Sequence, residues 1–425
     1  MSSCSFVFLW TLSAFAQESP AEEPAAEPAP LTPEELAELE AALGADLSAA
    51  PPPPPPTAAS PFPSAAGQGR GAVAMQSMNP DLSFIADFAL AGFTSDAPLM
   101  SGGHDPQVNG FNLQQLELAI GSAVDPYLRF DANVVFSQFG VEIEEAYGTT
   151  LGLPGRTQIR AGQFLTRFGR INNTHPHSWA FVDQSFAIGR VMGGEGNRGL
   201  GVEGSVLLPT PWFAELIVSE TMANGEATAR SFYGAKDLGV GSPLDLQTTA
   251  ALKQFFPLGD DWSLLTGLSW AGGPNPSGRG NRSELYGGDL TLRYRPITRQ
   301  SFTQVTLTTE WIHRRRQVAD DVLLDLTSYT QLQWRFAQRW AWAGRYELGT
   351  PARAMSGAAD IEDPLDPEWT ALRQRGAVNL SFWPTEFSRI RLQYDLDLPG
   401  WRPVPEHAVF LAFELVVGAH GAHAF

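Results

Sequence analysis

The sequence predicts an all-β protein: a transmembrane antiparallel up-and-down β-barrel of about 16 strands behind a disordered Pro-rich N-terminal extension carrying one short helix. Three observations predict it. Alternating segments recur from about residue 80 to the end, their number is even, and short and long connections between them alternate. The 425 residues contain no run of 18 apolar residues, which excludes a helical membrane protein. Gly 41, Phe 26 and Trp 12 are high, whereas Lys236 and Lys253 are the only lysines. Cys4 is the only cysteine, so no disulfide, cysteine zinc site or cysteine nucleophile survives removal of the first residues.

Residues 1–16 read as a signal peptide. Phe6 to Phe15 is a short apolar core, and Ala14-Phe15-Ala16 is a small-x-small cleavage site. Residues 17–78 form an acidic, Pro-rich periplasmic extension. Half of the net charge of −18 sits in its Gln17 to Gly69 part, so acidity is a property of this tail and no sign of a cationic partner. Thr32-Pro33-Glu34-Glu35 is a capping box, and Leu36, Leu39, Leu43 and Leu47 follow at helical spacing. The pattern predicts a helix over 33–47, too short to be stable alone. It would self-associate in a homo-oligomer, dock on a periplasmic partner, or serve only as a linker. Pro51 to Pro56 is a stiff spacer.

Residues 79–425 make the predicted outer-membrane barrel. Arg389-Ile390-Arg391-Leu392-Gln393-Tyr394-Asp395-Leu396-Asp397-Leu398 alternates charged and apolar residues, as a strand between lumen and lipid must. Sixteen such segments are expected, near 81–95, 108–125, 127–138, 140–153, 156–168, 199–209, 212–222, 244–257, 262–272, 282–296, 301–315, 321–337, 340–349, 371–384, 388–398 and 406–419. Connections after even strands are short, those after odd strands mostly long. Trp262, Tyr294, Trp334, Trp340, Trp342, Phe382 and Trp383 fall at strand ends, where interfacial girdles lie. The last strand ends in Phe425 with its apolar parity in register, which resembles the signal read by the barrel assembly machinery. Outer-membrane lipid is the other expected partner. Nothing points to nucleic acid or to an enzyme: Gly193-Gly194-Glu195-Gly196 falls in a loop and opens no helix after a strand.

The connection after strand five is the candidate site. Arg170, His175, His177, Asp183, Arg190 and Arg198 lie in or beside it, and a loop over 170–198 at this position would fold into the lumen as a pore constriction. His175, His177 and Asp183 form a candidate metal set, since two imidazoles one residue apart with a nearby carboxylate suit zinc or copper. The same histidines would equally pack against Trp179 or hydrogen-bond across the loop. No cofactor is expected, with zinc open as a ligand or solute. His420 and His423 form a second pair, expected at the periplasmic rim. Arg129, Arg160, Arg293, Arg295, Arg345, Arg389 and Arg391 are candidate lumen-lining residues, and Arg156, Arg335, Arg373 and Arg375 share the polar parity. They would either attract anions or pair with the acids Asp131, Asp289, Asp325, Glu347, Asp395, Asp397 and Glu414 on the same faces.

Gly162-Gln163-Phe164-Leu165-Thr166-Arg167-Phe168-Gly169-Arg170 resembles a segment of phosphate-selective-type porins. His175-Pro176-His177-Ser178-Trp179-Ala180-Phe181-Val182-Asp183-Gln184, Gly193-Gly194-Glu195-Gly196 and Leu207-Leu208-Pro209-Thr210-Pro211-Trp212 resemble a family of deltaproteobacterial outer-membrane β-barrels. Its members are often labelled zinc-regulated TonB-dependent outer-membrane receptors and end in a similar Gly-Ala-His repeat. The resemblance implies an outer-membrane barrel linked to metal uptake. Taken together, the residues favour a porin-like channel for small hydrophilic solutes or ions. A TonB-linked receptor for zinc or another metal, or a structural or adhesive surface barrel, are the alternatives.

Overall fold

The computed structural model describes residues 80–137, 140–223, 225, 227–232, 240–278, 280–296, 302–358 and 363–418. The signal peptide, the extension with helix 33–47, and His420, His423 and Phe425 lie outside the described residues.

The first eight strands are β1(Asp81–Phe93), β2(Gly110–Asp125), β3(Leu128–Ser137), β4(Gly140–Thr150), β5(Thr157–Leu165), β6(Arg198–Leu207), β7(Phe213–Thr221) and β8(Gln247–Leu258). Next come β9(Trp262–Pro274), β10(Arg282–Tyr294), β11(Gln304–Gln317), β12(Val322–Ala337) and β13(Trp340–Gly349). A two-residue strand, β14(Arg353–Ala354), adds to the tip of β12, and β15(Arg373–Thr385), β16(Ser388–Pro399) and β17(Glu406–Gly418) complete the wall. Every long strand pairs antiparallel with its chain neighbours, β13 with β15, and β1 pairs with β17, so sixteen strands close into a barrel. Closure leaves no free edge strand, the condition for a sheet in lipid, although β4 and β5 pair only over Ala146 to Thr149. At the seam Phe88 opposes Phe413, their rings stacked at 6.0 Å.

Period two sets the two faces. Along β16, Arg389, Arg391, Gln393, Asp395 and Asp397 are buried, while Leu392 and Tyr394 are exposed. The same outward parity exposes Leu380, Val409 and Leu415. The outer surface is thus apolar and the inner polar, the pattern of a barrel in lipid. At the end of the barrel where the short turns lie, Trp262 packs on Tyr294 at 4.7 Å and Trp340 on Phe382 at 4.5 Å. Trp383 departs from the expected girdle: it is buried on the inward parity of β15, with the Arg335 guanidinium over its ring. Arg156 lies off the wall, exposed at φ 59° in the turn between β4 and β5. At the loop end, β11 and β12 are joined by the short connection 318–321.

The inside is filled unevenly. Loop L3 (166–197) carries helix α1(Phe186–Met192), all of whose residues are buried. Phe168, Ile171, Ile188, Val191 and Met192 of L3 cluster with Ala271, Leu285, Ile312 and Tyr329 of β9 to β12. That quarter of the interior is a dry core, and the charged groups crowd the remainder.

Candidate functional site

L3 is fastened to inward-facing side chains around much of the barrel. The amide of Arg170 donates to Glu310 of β11 at 3.2 Å, and Thr327 of β12 donates to the Ala187 carbonyl at 3.0 Å. Glu347 of β13 accepts the amide of Phe186 at 2.9 Å, and Gln393 of β16 accepts that of Val182 at 2.7 Å. Arg389 donates to the carbonyls of His177 and Trp179, and Arg391 to that of Phe181 at 2.8 Å. Nearly every partner is a charged or amide side chain on an inward parity. The polar lattice of the wall therefore satisfies the buried backbone groups of an irregular loop.

Asp183 is the centre of this docking. It is fully buried; Arg345 grips both its oxygens, at 2.8 and 2.7 Å, and Arg375 lies at 2.9 Å. Gln393 donates to it at 2.6 Å. Burial opposes its charge, but the two guanidiniums outweigh burial and hold its pKa below the ordinary carboxylate value. Asp105 of loop L1 (94–109) accepts the amide of Gln184 at 2.7 Å, and burial beside Asp183 pushes its pKa up to about 6.

A second network ties L3 to the loops at the barrel mouth. Arg190 of α1 reaches Asp325 at 3.1 Å and Asp366 at 3.3 Å, with its guanidinium 3.8 Å from the Trp369 ring centre. Asp325 also takes Arg314, and Asp363 takes Arg314 and Arg316. Above α1 lies a vestibule of about 620 Å³, lined by Arg190, Arg230, Arg373, Asp366, Trp369 and Trp401 among others.

A third cluster joins L1, β2, β4 and L3. The Nδ1 of His175 is 3.0 Å from Glu144 and its Nε2 is 3.0 Å from Glu145. His177 Nδ1 is 3.0 Å from Glu117, and the two imidazoles stack at 5.8 Å. His104 Nε2 is 3.1 Å from Glu195 and 3.4 Å from Glu144. Burial disfavours charge on His175, yet Glu117, Glu144 and Glu145 hold its pKa well above the usual imidazole value. For His104, Glu144 and Glu195 likewise overcome burial.

These placements sort the expected residues. His175 and His177 come together, but Asp183 does not join them. It is committed to Arg345 and Arg375, and the carboxylates beside the imidazoles are Glu117, Glu144 and Glu145. Arg198 pairs with Glu142 of β4, bridging across the top of β5. Among the lumen arginines, most are paired. Arg129 meets Asp131 at 2.7 Å, Arg160 meets Glu203 at 3.1 Å, Arg389 meets Glu414, and Arg391 lies 3.8 Å from Asp87. Arg293 differs, since the charges that act on it are the cations Arg170 and Arg295. Arg295 sits just past the end of β10, exposed, its amide donating to the Asp261 carbonyl.

Sequence reasoning missed His104, Glu117, Glu144, Glu145, Glu195, Arg314 and Arg316. The reason at β4 is a β-bulge: the register shifts between Asn133 and Val134, whose partners are Glu145 and Ile143, so the intervening Glu144 is the extra residue. Consecutive Glu144 and Glu145 are thereby both buried on the inside, which strict alternation forbids. An equivalent shift opposite Asp87 and Phe88 buries both Gln114 and Gln115.

A closed antiparallel barrel of sixteen strands, apolar outside and charged inside, defines a transmembrane barrel of the bacterial outer-membrane type. The chain belongs to one family with an uncharacterized protein of Aquifex aeolicus (strain VF5). The two are 30% identical over 391 residues, covering 81% of this chain and 80% of that protein. No family profile matches the sequence. Its fold is similar to the outer-membrane channel DcaP of Acinetobacter baumannii, with a TM-score of 0.52, 13% identity, and 80% of this chain and 96% of that one covered. The anion-selective porin from Comamonas acidovorans gives 0.51 at 9% identity, covering 80% and 99%. Pseudomonas putida OprB gives 0.52 at 10% identity, covering 80% and 94%. The expected likeness to zinc-regulated TonB-dependent receptors gains no support from these proteins, and sixteen strands fall short of the 22 of such transporters.

Proposed function

We propose that the protein is a porin-like channel of the bacterial outer membrane for small hydrophilic solutes or ions, narrowed by L3. The observation that carries this reading is the set of buried contacts from L3 to inward residues of β2, β4, β11, β12, β13, β15 and β16. A loop held across the interior at that many points leaves a solute only the space beside it. Solutes would enter from the vestibule, whose paired Trp369 and Trp401 rings, 5.0 Å apart, offer a stacking surface, while its Arg190, Arg230 and Arg373 are already paired with Asp325, Asp366 and Asp397. They would leave past Arg170, Arg293 and Arg295, which favours anions at the turn-end mouth. Inward arginines elsewhere serve mainly to brace L3 and the wall, because carboxylates already neutralise them.

The test is single-channel recording of the purified protein in planar bilayers. The reading expects discrete ohmic steps, larger after deletion of 175–195. A folded barrel that gives no steps in either form would instead favour a plugged receptor or an adhesive barrel.

A further inference from the structure

We propose that the His–Glu cluster between L1, β2, β4 and L3 is a binding site for two divalent transition-metal ions, bridged by Glu144. This goes beyond the channel reading and does not depend on it. Two triads of ligand atoms, each lying within 4.8 Å of one another, share this carboxylate: His104, Glu144 and Glu195 make one, Glu117, Glu144 and His175 the other. Glu144 turns a different oxygen to each, Oε1 to His104 Nε2 at 3.4 Å and Oε2 to His175 Nδ1 at 3.0 Å. The remaining contacts run from 3.1 Å for His104 to Glu195 to 4.0 Å for His175 to Glu117. Metal–ligand bonds of about 2.0–2.1 Å in a tetrahedron separate ligand atoms by about 3.3–3.4 Å, within this range.

The second ring nitrogens give independent support. An imidazole that ligates through one nitrogen donates the other N–H to a carbonyl or carboxylate, which fixes its tautomer. His104 Nδ1 faces the Gln114 carbonyl at 3.4 Å, and His175 Nε2 faces Glu145 at 3.0 Å beside the Asn133 side-chain amide at 2.8 Å. His177 stands outside both triads and holds the far oxygen of Glu117 at 3.0 Å, as an outer-shell partner holds a ligating carboxylate.

The site is also built to shape. A cavity of about 30 Å³, lined by His104, Glu144, His175 and Glu195, has room for an ion. Gly103 donates its amide to the Gly194 carbonyl at 3.0 Å, which lays L1 against L3, and a Cβ at Gly103 would fall 1.7 Å from Glu195 Oε1. Nitrogen and carboxylate donors without thiolate suit Zn²⁺, Mn²⁺ or Co²⁺. Three protein ligands per ion leave a position for water or exchange.

The experiment titrates detergent-solubilised protein with Zn²⁺ by calorimetry and with Co²⁺ by visible absorption. Each variant is first checked for wild-type heat-modifiable migration. Wild type should bind two ions that Glu144→Gln binds at least about 100-fold more weakly. His104→Ala and His175→Ala should each lose one ion and keep the other. Gly103→Ala, which leaves every ligand in the sequence, should lose only the His104 ion and keeps the proposal open to refutation if Glu144→Gln fails to fold. Identical binding by wild type and Glu144→Gln would overturn the site. A single ion abolished equally by His104→Ala and His175→Ala would overturn the bridged arrangement.

Discussion

Replacing Asp183 by Asn isolates the docking of L3. The carboxylate is fully buried and its charge faces two guanidiniums, Arg345 at 2.7 Å and Arg375 at 2.9 Å. Asn keeps the size but leaves both cations without this counter-charge, although Arg345 and Arg375 each retain Glu347. Breaking a buried pair by removing one partner costs about 3–5 kcal/mol. The retained Glu347 argues for the lower end, about 3 kcal/mol. If that cost falls on the docked loop, the ratio of undocked to docked L3 rises about 150-fold, at 1.4 kcal/mol per factor of ten. The assay is single-channel recording at fixed voltage, in which undocking appears as brief excursions to a larger conductance. Asp183→Asn should show them far more often than wild type, and Arg345→Met with Asp183→Leu less often than Asp183→Asn alone. Traces of Asp183→Asn with the wild-type conductance and noise would refute the argument that this clamp holds the loop.

Three further outcomes are expected. Leu392→Arg, on the exposed mid-strand face of β16, should destabilise the barrel in vesicles by about 2–4 kcal/mol in urea unfolding, and an unchanged midpoint would put that face away from lipid. Arg293→Glu adds two negative units among Arg170 and Arg295. At about 8 Å in water this is worth about 1 kcal/mol for each ion, favourable for cations and unfavourable for anions, so the reversal potential in a salt gradient should move toward cations by a roughly 30-fold change in permeability ratio; no shift would place Arg293 off the conduction path. In the mouth loop 350–372, burial disfavours charge on Asp363 but Arg314 and Arg316 draw its pKa down to about 2. Its folded pKa is depressed, so its contribution of about 2 kcal/mol is present above the unfolded value near 3.9 and is lost as pH falls toward 2. Pepsin cleavage of that loop should therefore rise between pH 4 and pH 2 in wild type, and Asp363→Asn should be cleaved already at pH 4. Equal cleavage of the two at pH 4 would remove the pairing from the account.

The barrel was legible because its physics is local. Each strand needs period two, and each chain reversal needs a turn, so Trp340–Gly349 is found residue for residue and the other strands to within a few. The candidate lumen arginines within strands fall on inward parities for the same reason, whereas Arg295 lies past the end of β10 and Arg156 in a turn. What parity could not show is who their partners are. Asp183 and Arg345 are 162 residues apart, and the side of the lumen on which a loop residue lands depends on the whole closed sheet. His175 and His177 were visible as a pair, and the error of adding Asp183 came from judging nearness along the chain. The true neighbours, Glu144 and Glu145, were hidden by a bulge that breaks alternation at one residue. His104 and Glu195 meet across 91 positions through two Gly-rich loop tips, whose packing has no period to read. The dry quarter was missed because Leu285, Ile312 and Tyr329 face inward where a water-filled lumen would call for polar groups.

In the proposed channel L3 lies across the lumen against the inner wall. Phe181 of L3 packs with Ala343 of β13 and Ala377 of β15, both on the buried inner parity. Cross-linking Phe181→Cys with Ala343→Cys in intact outer membranes, using a short bifunctional thiol reagent, measures this contact directly. Cys4 falls in the predicted signal peptide, so the mature chain adds no competing thiol. The expected result is near-complete cross-linking of the pair within one chain, seen as a faster-migrating band, and none when Phe181→Cys is combined with a cysteine at lipid-facing Leu392. A Phe181–Ala343 pair that stays uncross-linked while each single cysteine reacts with the reagent would contradict it.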